Sequence, residues 1–129
     1  FLDSKRIILV KQYRYPVKKI TYEIPAGKLD YRESLLKCLK RELQEETGYA
    51  ARSIKKLISF WPTPAFSDEI LHIYVAKGLK KSGKATPDFD EFIDTEIFNF
   101  DDVFEMIKTG KIQDSKTVIA LSYYKAITK

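Results

Sequence analysis

Glu42, Glu45 and Glu46 put three carboxylates within five residues of a chain whose formal net charge is +5. On a helix of 3.6 residues per turn, positions i, i+3 and i+4 share a side. Like charges so placed repel by a few tenths of a kcal/mol per pair. Such a group is expected to hold a cation. Hard divalent ions such as Mg²⁺ prefer carboxylate and water oxygens, so they fit this donor set.

The element that must present these side chains is a helix from about Glu33 to Thr47. Leu35, Leu36, Leu39 and Leu43 recur at helical spacing, and Gly48 stands where a left-handed C-cap belongs. With Glu42 at zero on a helical wheel, the leucines span roughly 20° to 120° and Glu46 falls near 40°, inside the apolar arc. Surface glutamates on an amphipathic helix belong opposite the leucines. Burying a carboxylate unpaired costs several kcal/mol, so an inward glutamate needs a metal or a base. Two readings stay open on this geometry: a metal site, or a salt-bridge network with Arg41, Lys37 and Lys40.

Around this helix the pattern alternates between strands and helices. Strands are expected at Arg6 to Arg14, Thr21 to Ile24, Ile54 to Trp61, Ile70 to Ala76 and Phe92 to Phe98. Pro25-Ala26-Gly27 breaks the second strand from the helix, and residues 78–91 read as a polar loop. Helices are expected at Asp101 to Thr109, stopped by Gly110, and at Ser115 to Ile127, capped by Asp114. The order implies one mixed α/β domain over residues 1–129.

The 44% hydrophobic and 32% charged content is that of a soluble globular protein. No apolar run approaches the ~20 residues of a membrane span. Cys38 is the lone cysteine, so no intrachain disulfide forms; a reducing, cytoplasmic location and a packing role for Cys38 are expected. The lysines are spread out (Lys18-Lys19, Lys55-Lys56, Lys80-Lys81), which argues against a nucleic-acid partner. The chain opens at Phe1 with strand-like residues 7–10 close behind, so upstream sequence is expected.

Gly27, five residues, Glu33, seven residues, then Arg41-Glu42-Leu43-Gln44-Glu45-Glu46-Thr47-Gly48-Tyr49 resembles the Nudix box of the Nudix pyrophosphohydrolases. Tyr49 stands where an aliphatic residue is commoner. The resemblance implies the Nudix fold, an α/β/α sandwich around a mixed β-sheet, and hydrolysis of nucleoside diphosphate derivatives with Mg²⁺ or Mn²⁺. It implies Glu42, Glu45 and Glu46 as metal-binding carboxylates, with Glu45 and Glu46 central to catalysis and the backbone carbonyl of Ala26 as a further ligand. Arg41 is implied as the partner that orients the glutamates. Glu33 lies opposite Glu42 on the wheel, which favours a structural role.

The flanks are similar to the ADP-ribose pyrophosphatase branch of that family: Gln12-Tyr13-Arg14-Tyr15, Tyr22-Glu23-Ile24-Pro25-Ala26-Gly27, Pro64 fifteen residues past the box, and Gly110 to Thr117. This implies cleavage of ADP-ribose to AMP and ribose 5-phosphate. By position, Arg14 would contact phosphate or terminal ribose, Glu23 would approach the adenine, and Pro64 would mark the substrate loop. A late acidic loop holding Asp88, Asp90 and Glu91 would supply the general base or a further metal contact. A homodimer is implied, though the N-terminal arm that relatives exchange is not evident. The alternatives are another nucleoside diphosphate sugar, a dinucleoside polyphosphate or a damaged nucleotide as substrate, or a non-catalytic nucleotide sensor. His72 is expected to be a core or supporting residue; Phe60, Trp61 and Phe66 bracket the proline loop, and core packing is expected of them, with substrate lining as the alternative.

Overall fold

Ile7-Ile8-Leu9-Val10 is an unbroken apolar run, and a strand of that kind needs cover on both faces. The computed structural model describes residues 1–88 and 92–128. In it, β1 (Arg6–Arg14) is the middle strand of a three-stranded sheet, between β2 (Lys19–Glu23) and β5 (Ile93–Asn99). The register runs Val10 to Glu23 on one side and Arg6 to Asn99 on the other. A tight 3-10 turn, Tyr15–Val17, ends in Lys18 with φ 52° and returns the chain from β1 to β2.

Alternate β1 side chains face opposite ways. Ile7 and Leu9 pack with Val103 and Met106 of α2 (Asp102–Lys108), with Ile112, and with Leu121 of α3 (Ser115–Ile127). Ile8 packs the other way, on Leu43 of α1 (Leu35–Thr47). Leu79 of β4 (Leu71–Lys81) joins that second cluster. Full burial of such a side chain contributes about 2 kcal/mol. The result is the layered α/β architecture expected, with β1 buried between helices.

Every strand pairing among the described residues is antiparallel. β4 pairs with β3 (Tyr49–Phe60) as a separate two-stranded ribbon. This ribbon is longer than the sequence pattern predicts. Residues 49–53 and 77–81 lack alternation, yet they pair from Tyr49 to Lys81 onward. The polar loop therefore starts after Lys81 rather than at Gly78.

α1 begins at Leu35, two residues later than expected, because Ser34 takes the N-cap and accepts from the Lys37 N–H. Its Gly48 cap is left-handed, with φ 74°. Leu35 and Leu36 are exposed, so only the C-terminal half of the leucine stripe, with Leu43, enters the core. α3 has the predicted bounds, and the Asp114 carboxylate accepts from the Thr117 N–H.

Candidate active site

The connection from β2 to α1 carries the box glycine and folds through short turns. Arg32 has φ 59°, and the Glu33 N–H donates to the Asp30 carbonyl at 3.0 Å. Glu33 thereby sits beside the helix rather than within it. Its carboxylate forks onto Arg41, accepting from Nε at 3.0 Å and Nη2 at 2.9 Å. The Arg41 guanidinium, with help from the Asp30 N–H, holds the Glu33 carboxyl down at about 2.

Arg41 is the hub of the box. Besides Glu33, its Nη1 donates to Glu42 at 2.7 Å and Glu45 at 3.0 Å, and its Nη2 donates to the Lys28 carbonyl at 3.1 Å. These anions raise its pKa, Glu33 most. One planar fork thus orders three carboxylates and a loop carbonyl, which a lysine could not match. The expected salt-bridge partners Lys37 and Lys40 are exposed on the outer side of α1. Cys38 is buried, and its Sγ donates to the Lys28 carbonyl at 3.4 Å. Burial pushes the thiol pKa up, so Cys38 is a packing residue as expected.

Two glutamates close on the box loop itself. The Glu42 carboxyl lies where a Gly27 side chain would be: a Cβ there would stand 1.8 Å from its Cδ. Only glycine permits that approach. Glu46 is 4% exposed, as its place among the leucines predicts, and its Oε2 accepts from the Ala26 N–H at 3.0 Å. Glu45 is reached from the other side. The Thr86 N–H donates to its carbonyl at 2.8 Å, and the N–H groups of Ser82 and Gly83 donate to the Gly48 carbonyl. The loop after β4 is thereby latched to the end of α1.

A second ionic cluster lies at the junction of β1, β2 and α3. Glu23 is 2% exposed and accepts from Arg14 Nε at 2.8 Å and Nη2 at 2.7 Å, from the Thr21 hydroxyl at 2.6 Å, and from Lys116 Nζ. Burial would raise the Glu23 pKa; the bonds from Arg14, Lys116 and Thr21 outweigh it and bring it to about 2. The Gln12 amide, with its oxygen turned inward, accepts from the Arg14 guanidinium. Lys116 also pairs with Asp114 at 3.0 Å. Glu23 is thus enclosed by donors, while Arg14 remains 46% exposed by side chain. The sequence reading missed Lys116 as a member of this site; the run Gln113 to Thr117 was its available signal.

The remaining predicted residues stand apart. Pro64 is exposed in the 61–70 connection, where the Thr63 carbonyl accepts from the N–H groups of Phe66 and Ser67. Trp61 and Phe66 do not pack in the core: they are 61% and 83% exposed. His72 pairs through Nδ1 with Ser59 at 2.8 Å across β3 and β4, a supporting position. Asp88 is exposed. Asp90 and Glu91 lie outside the described residues.

The donor chemistry fits a hard divalent cation, with oxygen atoms only, carboxylates grouped on one helix, and a glycine that lets the Glu42 carboxyl lie against the loop backbone. As placed, Glu42 and Glu45 turn to Arg41, and among the described residues no three acidic, histidine or cysteine side chains converge to hold an ion.

A layered α/β chain with a glutamate helix closed over a box glycine and organised by one arginine has the form of a Nudix-type protein. The chain belongs to the NUDIX family: the NUDIX domain matches residues 1–121. It is 48% identical over 122 residues to the methanol dehydrogenase activator of Bacillus methanolicus and 38% identical over 122 residues to the ADP-ribose pyrophosphatase of Bacillus subtilis (strain 168). Each match covers 94% of this chain and 66% of the relative, so the chain spans just under two thirds of their length. It is 33% identical over 126 residues to the GDP-mannose pyrophosphatase of Yersinia enterocolitica, a match covering 91% of this chain and 65% of that one. Its fold matches a solved ADP compounds hydrolase with a TM-score of 0.86 at 20% identity, over 97% of this chain and 67% of the other. No helix among the described residues is long and apolar enough to cross a membrane.

Proposed function

We propose that the chain is a Mg²⁺-dependent pyrophosphohydrolase that cleaves ADP-ribose to AMP and ribose 5-phosphate, with Mn²⁺ able to substitute. The observation that carries this reading is the Glu42 carboxyl seated against Gly27, with Glu46 held by Ala26 beside it. A helix glutamate pressed onto a loop glycine brings carboxylates and loop backbone to one small site. Glu42, Glu45, Glu46 and the Ala26 carbonyl would hold the ion. When bound, such an ion offsets diphosphate charge and acidifies a water.

The chain's own residues do the rest. Glu33 anchors Arg41, and Arg41 keeps Glu42 and Glu45 from swinging into solvent. Arg14, partly exposed, offers a planar fork to a phosphate or ribose. An acid of the loop holding Asp88, Asp90 and Glu91 accepts the water proton. Water oxygen bonds to one phosphorus, the bridging P–O bond breaks, and the bridging oxygen leaves with the other phosphate. In this reading residues 1–129 form one domain that acts in the cytoplasm as a homodimer, without nucleic-acid or membrane partners.

Incubation with ADP-ribose and Mg²⁺ tests it. Equal amounts of AMP and ribose 5-phosphate are expected. Cleavage of GDP-mannose or a dinucleoside polyphosphate in its place would overturn the substrate while keeping the chemistry. Tight ADP-ribose binding without any turnover would instead indicate a sensor.

A second reading rests on the 48% identity to a methanol dehydrogenase activator: the chain acts on a dehydrogenase partner. Adding the chain to a purified methanol dehydrogenase then raises its turnover; no change at equimolar protein would remove this reading.

A further inference from the structure

A lysine near a helix N-terminus faces the positive end of the helix dipole, which disfavours it. α3 nevertheless opens Ser115-Lys116-Thr117 after its Asp114 cap. Lys116 is 13% exposed by side chain, and its ammonium spans two carboxylates, Glu23 and Asp114. The next residue, Thr117, is fully buried, and its Oγ1 accepts from the Ile24 N–H at 3.0 Å. Consecutive residues of α3 therefore grip consecutive residues of the strand end that leads into Pro25-Ala26-Gly27.

The contacts form a chain that ends at Arg14. Lys116 and Thr21 take different oxygens of Glu23, fixing the carboxylate on both sides. The same two oxygens take Arg14 through Nε and Nη2. A guanidinium has five N–H donors, so this fork leaves others for Gln12 and for a ligand. With one cation alone, the Glu23 carboxylate could rotate about its own bonds and carry Arg14 with it.

We propose that Lys116 is a positioning residue: it pins Glu23 from the α3 side and thereby aims the Arg14 guanidinium at the anionic part of a nucleoside diphosphate. This rests on the function proposed above, in which Arg14 meets the substrate. Lys116 itself need not touch the ligand.

A double-mutant cycle tests this. The measurements are kcat, KM for ADP-ribose, and the dissociation constant of an analogue whose bridging oxygen is replaced by methylene. Lys116→Met is expected to raise KM and the dissociation constant roughly tenfold while kcat changes much less, the pattern of lost substrate grip. Lys116→Arg restores most of the affinity. In an Arg14→Ala background, Lys116→Met adds less than about twofold, because its route to the substrate is gone. If Lys116→Met folds poorly, Lys116→Gln, which keeps an N–H donor but no charge, replaces it, with the same expectations. Effects that multiply across the cycle, or a fall in kcat at constant KM, overturn the inference while leaving the proposed function standing. A wild-type chain that neither binds the analogue nor cleaves any diphosphate overturns both.

Discussion

Among the described residues two arginine-centred ionic clusters stand out, and they are built on opposite plans. At the box, the contacts of Arg41 set one guanidinium against Asp30, Glu33, Glu42 and Glu45, at a partly exposed site. At the strand junction, Arg14 and Lys116 face Glu23 and Asp114, two cations to two anions, around a carboxylate that is almost wholly buried. A buried pair must satisfy itself, since an uncompensated charge in the interior costs several kcal/mol. The balanced cluster is accordingly a fixed part of the framework. The acid-rich cluster sits nearer the surface, and in the proposed function its carboxylates would exchange a guanidinium contact for a metal contact.

The largest effect is expected at Glu46. Glu46→Gln keeps an acceptor for the Ala26 N–H and removes the charge. Turnover of ADP-ribose with Mg²⁺ is expected to fall by roughly 10³-fold, with nucleotide binding retained in calorimetry. Activity within tenfold of wild type would mean the box acids are structural after all. Gly27→Ala comes next. Its Cβ displaces the Glu42 carboxyl, the mobile end of a side chain, so the melting temperature should move little while kcat drops on the order of 10²-fold. An equal loss in both would show that the glycine serves the fold.

The framework cluster should respond in the opposite sense, in stability first. Glu23→Gln leaves Arg14 and Lys116 without their shared anion and is expected to cost about 3 kcal/mol at neutral pH, read from urea unfolding. Glu23 titrates at about 2 in the fold against an ordinary 4.5. Its ionised form therefore stabilises fully above pH 4.5, and the gain is lost as pH falls through 2. The gap between wild type and variant should narrow across that window; a constant gap would assign the loss to packing. The smallest effect is expected at Gly48→Ala. The positive φ of 74° and a Gly83 oxygen 2.7 Å from the new Cβ predict a loss of about 1–2 kcal/mol, with substrate KM unchanged.

Local rules were enough for much of this architecture. α3 could be bounded from Asp114 to Ile127 because cap and periodicity are both short-range signals. Glu46 could be placed inside because 3.6-residue geometry puts it among the leucines. What escaped depends on partners distant in sequence. The first residues of β3 carry no alternation and are strand only because they pair with residues 77–81. Lys116 reads as a surface lysine until the fold brings Glu23 to it across 93 positions. Trp61 and Phe66 were misjudged because hydrophobicity is a one-way guide: large aromatics also stand in water.

The hydrogen-bonding of β1 to β5 has a consequence for synthesis. A ribosome makes the middle strand of the sheet well before one of its two neighbours, which begins at Ile93. Until that late strand emerges, the nascent polypeptide carries an apolar ribbon with an open edge, the kind of surface that chaperones cover and that associates between copies. Stalled or prematurely terminated translation products should accordingly be the aggregating species, even where the finished protein is well behaved.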